Sequence, residues 1–143
     1  MLMKQISVFL ENKKGRLAEV TQVLADEKVN IRALSLADSR DFGVLRIIVD
    51  DPDRCLDVLK AKSFIAQTTE VVGIEIEDKP GGLDKVLDII EANDINIEYM
   101  YATIDRRKDN AIVIFRVGDT KKTVDILHKN GINLSSTENL AKN

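Results

Sequence analysis

The sequence has one cysteine, one histidine, two prolines, no tryptophan and only 4% aromatic residues in 143 positions, and each scarcity closes a class of function. A lone cysteine, Cys55, forbids an internal disulfide framework. A lone histidine, His128, leaves no histidine pair to hold a metal. Its expected place is the polar side of the last helix near the C-terminus, where partial positive charge is mildly favourable. Neither sign of charge dominates, with 21 Lys plus Arg against 24 Asp plus Glu and a net charge of -3. So balanced a chain has no general attraction for phosphate backbones or anionic lipid, and neither nucleic acid nor membrane is expected as a partner. Long apolar runs are missing too: the opening MLMKQISVFLENKKG has too short a run for a signal peptide and none for a membrane span. A cytoplasmic location is therefore expected. The 44% hydrophobic content is enough for folded cores.

What is present is a duplication. At an offset of 66, VFLENKKGRLAEVTQVLADEKVNIRAL lies on IEIEDKPGGLDKVLDIIEANDINIEYM, matching Glu11 to Glu77, Gly15 to Gly81, Leu17 to Leu83 and Asn30 to Asn96. After a loop two residues longer in the second copy the register resumes at 68, placing Asp51 on Asp119 and Leu59 on Leu127. Two units of this period read as two domains, 1–71 and 72–143.

Within each copy the periodicity changes in one order. Ile6, Val8 and Leu10 alternate with polar residues as in a half-buried strand, as do Ile74 and Ile76. Leu17, Val20 and Leu24, then Leu83, Val86, Leu87 and Ile90, recur at helical spacing. Second strands are expected at Asn30 to Ala37 and Asn96 to Ile104, and third strands at Val44 to Val49 and Ala111 to Val117, with turns at SRDFG and DRRKDN. Asp51 ahead of Pro52, and Asp119 in the second copy, cap the next helices. Final strands are expected near Phe64 to Val71 and Ile132 to Thr137. The result is βαββαβ twice, an α+β fold with two helices on one face of each four-stranded antiparallel sheet. IAQTTEVV runs into GIEIE with about one residue to spare at Gly73, so continuous or nearly continuous strand is expected across the join.

Two places invite a ligand. ENKKGRL and EDKPGGL each end a strand, turn on glycine and open a helix, whose first N–H groups lack internal partners and sit at the positive end of the dipole. Gly15, Gly81 and Gly82 permit close approach of a ligand or a positive φ. A structural origin also suffices for such a loop, since strand-to-helix turns favour glycine in any case. The other place is Asn30 and Asn96, inside V-N-I and I-N-I. There an asparagine either ends the preceding helix in left-handed geometry or offers its amide to a ligand.

Loop and asparagine together resemble the ACT domain family, whose members carry an N-x-x-P-G-x-L loop followed by a V/I-N-I strand start. The resemblance spans essentially the whole chain and implies tandem ferredoxin-like units that bind amino acids between paired domains and regulate metabolic enzymes or transcription. Carried over, it implies a first site of Asn12, Gly15, Arg16, Leu17 and Asn30, with Asn30 facing the loop. A second site has Asp78, Pro80, Gly81, Gly82, Leu83 and Asn96, and Tyr99 and Tyr101 could line the ligand's side chain. The copies differ, because Asp78 replaces the family's loop asparagine and Lys14 stands where the second copy has Pro80. An anionic Asp78 suits an ammonium, whereas Asn12 can donate and accept.

Catalytic machinery is not legible. No nucleophile with its base, metal cluster or phosphate loop has the required spacing, and no cofactor is expected. Cys55 near Asp51, Asp53 and Asp57 reads as a small helix residue, because those anions oppose a reactive thiolate. DDPD reads as helix-start acids and DRRKD as a solvated basic turn. Three functions remain: a free-standing amino-acid sensor, a regulatory subunit of a biosynthetic enzyme such as the acetolactate synthase small subunit, and a ligand-free interaction module. Open strand edges at Ala33 to Ala37 and around Tyr99 and Tyr101 make a homodimer the expected assembly.

Overall fold

The computed structural model describes residues 2–38, 40–105, 109–137 and 140. The turns expected at SRDFG and DRRKDN include Ser39 and residues 106–108, which lie outside the described residues. The chain forms two compact units, Lys4–Thr69 and Glu70–Asn143 with Met1–Met3. In chain order the elements are β1 (Met3–Glu11), α1 (Arg16–Asp26), β2 (Ile31–Asp38), β3 (Phe42–Val49), α2 (Pro52–Ala61), β4 (Ile65–Glu77), α3 (Gly82–Ala92), β5 (Ile97–Asp105), β6 (Asn110–Val117), α4 (Thr120–Lys129) and β7 (Asn133–Ser135). β4 is thus one 13-residue strand, whose beginning closes the first unit and whose end opens the second. Gly73 lies inside it without a break, and its lack of a side chain leaves room for Met3 and the Ser135 carbonyl, both of which a Cβ there would crowd.

In the first unit the strand order is β2-β3-β1-β4. The register sets Ile6 opposite Ile47 and Glu11 opposite Phe42, while Asp38 faces Gly43 and Ile31 faces Val49. Alternation then sorts the faces. Ile6, Val8, Leu10, Leu45, Ile47 and Val49 meet Val20 and Leu24 of α1 and Cys55 and Leu59 of α2 in one buried core. The second unit repeats the order with β4 and β6 central, β5 beside β6 and β7 on β4. There Val72, Ile74, Val113, Phe115 and Val117 pack against Val86, Ile90 and Leu127. Helices cover one face of each sheet, as the two periodicities require. β7 is shorter than expected, three residues in place of about six, since the chain leaves the ladder after Ser135.

Caps explain the helix boundaries. Asp51 accepts from the Arg54 N–H at 3.2 Å and Asp119 from the Lys122 N–H at 3.0 Å, with Pro52 opening α2. At the other ends of α1 and α3 the chain reverses through Lys28 at φ 58° and Asp94 at φ 55°. Asn30 and Asn96 are not the left-handed residues, so ending the helix does not explain them.

Candidate functional site

The two glycine loops are built alike. Lys13 N–H donates to the Glu11 carbonyl and Arg16 N–H to the Lys13 carbonyl; Lys79 and Gly82 repeat this on Glu77 and Lys79. Each loop is tied to the neighbouring turn, Asn12 N–H on the Asp41 carbonyl at 2.9 Å and Asp78 N–H on the Asp109 carbonyl at 3.0 Å. Gly15 (φ 90°) and Gly81 (φ 88°) are the N-cap residues of α1 and α3, in backbone geometry that a side chain strains. Neither helix receives a side-chain cap, in contrast to α2 and α4. A Cβ at Gly15 or Gly81 would meet nothing within 4 Å, so both helix starts open onto free space. Gly82 is different, because its Cβ would lie 2.3 Å from the Glu77 carbonyl oxygen. Its glycine answers to the protein's own backbone.

Charges around the loops are mostly matched locally. Lys13 pairs with Glu11 at 3.3 Å, Lys79 with Glu77 and Arg16 with Glu19. The Lys79 ammonium holds the Glu77 carboxyl below its ordinary range. Arg16 also lies over the Phe64 ring, 5.0 Å from its centroid, an arrangement worth about 0.5–1 kcal/mol at exposed sites. Gly15, Arg16, Glu19, Val23 and Phe64 border an open depression of about 520 Å³. Phe64 is the residue that reading the sequence missed, since nothing in the spacing of positions 16 and 64 signals their contact. Asn12 is exposed, and its amide donates to the Arg40 carbonyl at 3.4 Å. Leu17 and Leu83 are exposed large apolar residues at the helix starts, and Asp78 and Pro80 are exposed beside the second loop.

The asparagines are elsewhere. Asn30 has an exposed side chain, and its N–H donates to the Asp50 carboxylate at 3.1 Å. The loop lies level with Asp41 and Phe42, and Asn30 level with Asp50, at the opposite ends of β3. Eight residues of strand separate those levels, roughly 26 Å. Asn96 is removed from its loop in the same way, since Glu77 faces Asn110 at one end of β6 and Ile97 faces Val117 at the other. Within one unit, therefore, the asparagine does not face the glycine loop as expected. Asn96 instead borders a depression of about 330 Å³ with Asp94, Glu98, Asp119 and Lys122.

Tyr99 and Tyr101 stand opposite Arg116 and Ile114, whereas Met100 stands opposite Phe115 of the core beneath the helices. Both tyrosines therefore lie on the sheet face away from α3, and neither shares a face with the start of that helix. Cys55 is buried, and its thiol is pushed up to about 12, by burial first and then by Asp50 and Asp51. That environment disfavours the thiolate. Among the described residues no group of His, Cys, Asp and Glu could hold a metal, and no helix is long and apolar enough to cross a membrane.

A family model described as an ACT domain pair matches residues 1–143. A crystal structure of a Bacteroides thetaiotaomicron protein is similar with 43% identity and a TM-score of 0.93, covering 100% of this chain and 98% of that one. The ligand-free regulatory subunit of aspartate kinase from Thermus thermophilus aligns with a TM-score of 0.63 at 17% identity, covering 88% and 91%; at that identity the likeness is one of fold. The Escherichia coli aspartokinase III in complex with lysine and aspartate aligns with a TM-score of 0.53 at 19% identity, over 89% of this chain and 30% of that one. No protein with a curated description matches.

Proposed function

This chain belongs to the ACT family as a pair of ACT domains on one polypeptide, and from that premise we propose that it is a non-catalytic regulatory protein that binds an amino acid at its glycine loops. The observation that carries the reading is the contrast in capping. α2 and α4 have their first turns satisfied by Asp51 and Asp119, whereas α1 and α3 start behind left-handed glycines with no side-chain cap. A carboxylate placed there gains hydrogen bonds from the helix start and the favourable end of the dipole together. Asp78 suits the ligand's ammonium in the second unit, and the Asn12 amide can meet either end in the first.

Asn30 and Asn96 remain ligand groups in this reading, but the partner of the Asn12 loop is the Asn30 of another chain. Family members bind ligands between paired domains, and a homodimer supplies such a pairing. The regulated target is an enzyme or transcription factor in the cytoplasm.

Thermal-shift measurement against the twenty amino acids tests this. A binder present at a hundred times its dissociation constant stabilises the fold by about 2.7 kcal/mol. A flat response to every amino acid at millimolar concentration removes the reading. A catalytic chain recovered in stable complex would recast the protein as a dedicated regulatory subunit.

A further inference from the structure

We propose that the second unit carries a small-molecule site at Gly118, where the carboxylate of a free amino acid takes the place that the Asp50 side chain fills in the first unit. The duplication matches Asp50 to Gly118, Asn30 to Asn96 and Asp51 to Asp119. In the first unit one carboxylate oxygen of Asp50 accepts from two backbone N–H groups, that of Asn30 at 3.1 Å and that of Asp51 at 3.0 Å. Hydrogen bonds to an ionised oxygen are roughly twice as strong as neutral ones. The second unit has the same frame: Ile97 faces Val117 as Ile31 faces Val49, and Asp119 caps α4 as Asp51 caps α2. With glycine at 118, the N–H groups of Asn96 and Asp119 have no acceptor among the described residues. Neither is a first-turn N–H of a helix, since α4 begins at Thr120.

Nothing in the fold requires glycine at this position. The φ of Gly118 lies outside the left-handed range and a Cβ there would meet nothing within 4 Å, so a side chain is missing where one would fit. In its place is the depression of about 330 Å³ bordered by Asp94, Asn96, Glu98, Asp119 and Lys122. A concave surface with a few convergent polar groups is the usual form of a small-molecule site.

The charges around the depression define the ligand. Lys28 and Arg32 of the first unit are matched by Asp94 and Glu98, so the second unit sets acids where the first has cations. Asp94, Glu98 and Asp119 outweigh the one ammonium of Lys122 and repel a bare anion. A carboxylate can settle on the two N–H groups only if it brings its own cation, and in an α-amino acid the ammonium stands on the adjacent carbon. Glu98 is shared with Arg116 at 3.6 Å, which leaves Asp94 as the first partner of that ammonium. The site uses the backbone N–H of Asn96, lies at the end of the sheet away from the Gly81 loop and needs no second chain. It therefore stands or falls apart from the glycine-loop reading, although both take an amino acid.

Amide NMR of the full-length chain, titrated with each of the twenty amino acids at millimolar concentration, tests the site. At least one should move the N–H resonances of Asn96 and Asp119 together, whereas that of Asp51, already held by Asp50, should stay. Acetate alone and ethylammonium alone should leave both in place; either one acting as well as the amino acid would overturn the pairing of carboxylate with ammonium. Gly118→Asp installs the internal carboxylate in open space. The variant should keep the rest of its amide spectrum, which shows that it is folded, and lose the response. Shifts confined to the helix starts after Gly15 and Gly81 would leave the glycine-loop reading standing and overturn this site, and shifts confined to Asn96 and Asp119 would support this site and remove that reading. A response that survives Gly118→Asp, or the failure of every amino acid to move both amides in the wild type, would overturn the proposal.

Discussion

Replacing Gly82 by alanine separates two reasons for glycine in adjacent positions. At Gly81 the φ of +88° excludes ordinary side chains although the space is empty, whereas at Gly82 the backbone is helical and the space is filled. An alanine Cβ built there lies 2.3 Å from the Glu77 carbonyl oxygen, a rigid backbone atom that must retreat by about 1 Å to reach ordinary contact. The first unit shows how a Cβ is accommodated. Arg16 holds the matched position, and its N–H stands 3.4 Å from the Lys13 carbonyl, against 3.0 Å for Gly82 and Lys79. Gly82→Ala must open the second loop toward that looser turn, at an overpacking cost of about 1–3 kcal/mol. Urea unfolding should show the midpoint falling with an unchanged slope, so that the loss is one of native stability. Gly81→Ala should cost about 1–2 kcal/mol by strain alone. A Gly82→Ala midpoint equal to wild type would refute the argument, because it would show that the Glu77 carbonyl yields without cost.

The caps and the buried thiol give two further tests. Asp51→Ala and Asp119→Ala should each lower unfolding free energy by about 1 kcal/mol, while asparagine at either position should keep most of the cap; equal stability of the alanine variants would show that these bonds contribute nothing. Cys55 has its folded pKa raised to about 12 from 9.0, so the unfolded chain loses this proton first. Its contribution is constant below pH 9 and declines as pH rises from 9 toward 12; Cys55→Ala should lack that decline in urea midpoints, and an identical alkaline profile would contradict the assignment.

The fold was legible because its signals are local and repeated. Ile6, Val8 and Leu10 alternate, Val20 and Leu24 recur at helical spacing, and both patterns return 66 residues later in Ile74, Ile76, Val86 and Ile90. Asp51 and Asp119 were readable for the same reason, since a capping residue announces itself within three positions. Placement across the sheet was not. Asn30 follows α1, and Gly15 precedes it, so the helix itself carries them to opposite ends; adjacency in a family motif concealed that separation. The faces of Tyr99 and Tyr101 also depended on something non-local, a register shift between Ile97 and Tyr99 that moves every later side chain to the other face. Gly82 looked like part of a ligand loop, yet its neighbour is the Glu77 carbonyl, an approach that only the folded turn creates.

The separation of Gly15 from Asn30 leads to the sharpest test of how the ligand is held. If the amino acid uses the glycine loop of one chain and the Asn30 of its dimer partner, damage to each can be complemented. Asn30→Ala removes a hydrogen bond to a charged ligand, worth roughly 1.5–3 kcal/mol or about tenfold to more than a hundredfold in affinity. Its side chain is exposed, so stability should barely change. Gly15→Val blocks the open helix start and strains a residue at φ 90°. Homodimers of either variant should bind poorly. A heterodimer of the two has one site with both defects and one with neither, because the intact loop of the Asn30→Ala chain meets the intact Asn30 of the Gly15→Val chain. Random exchange at equal concentrations makes half of all dimers mixed, so about a quarter of the wild-type sites of this unit should return at wild-type affinity. Calorimetry on the exchanged mixture reads that stoichiometry directly. Binding that stays absent after exchange, with mixed dimers verified by mass, would mean that loop and asparagine do not meet across the dimer.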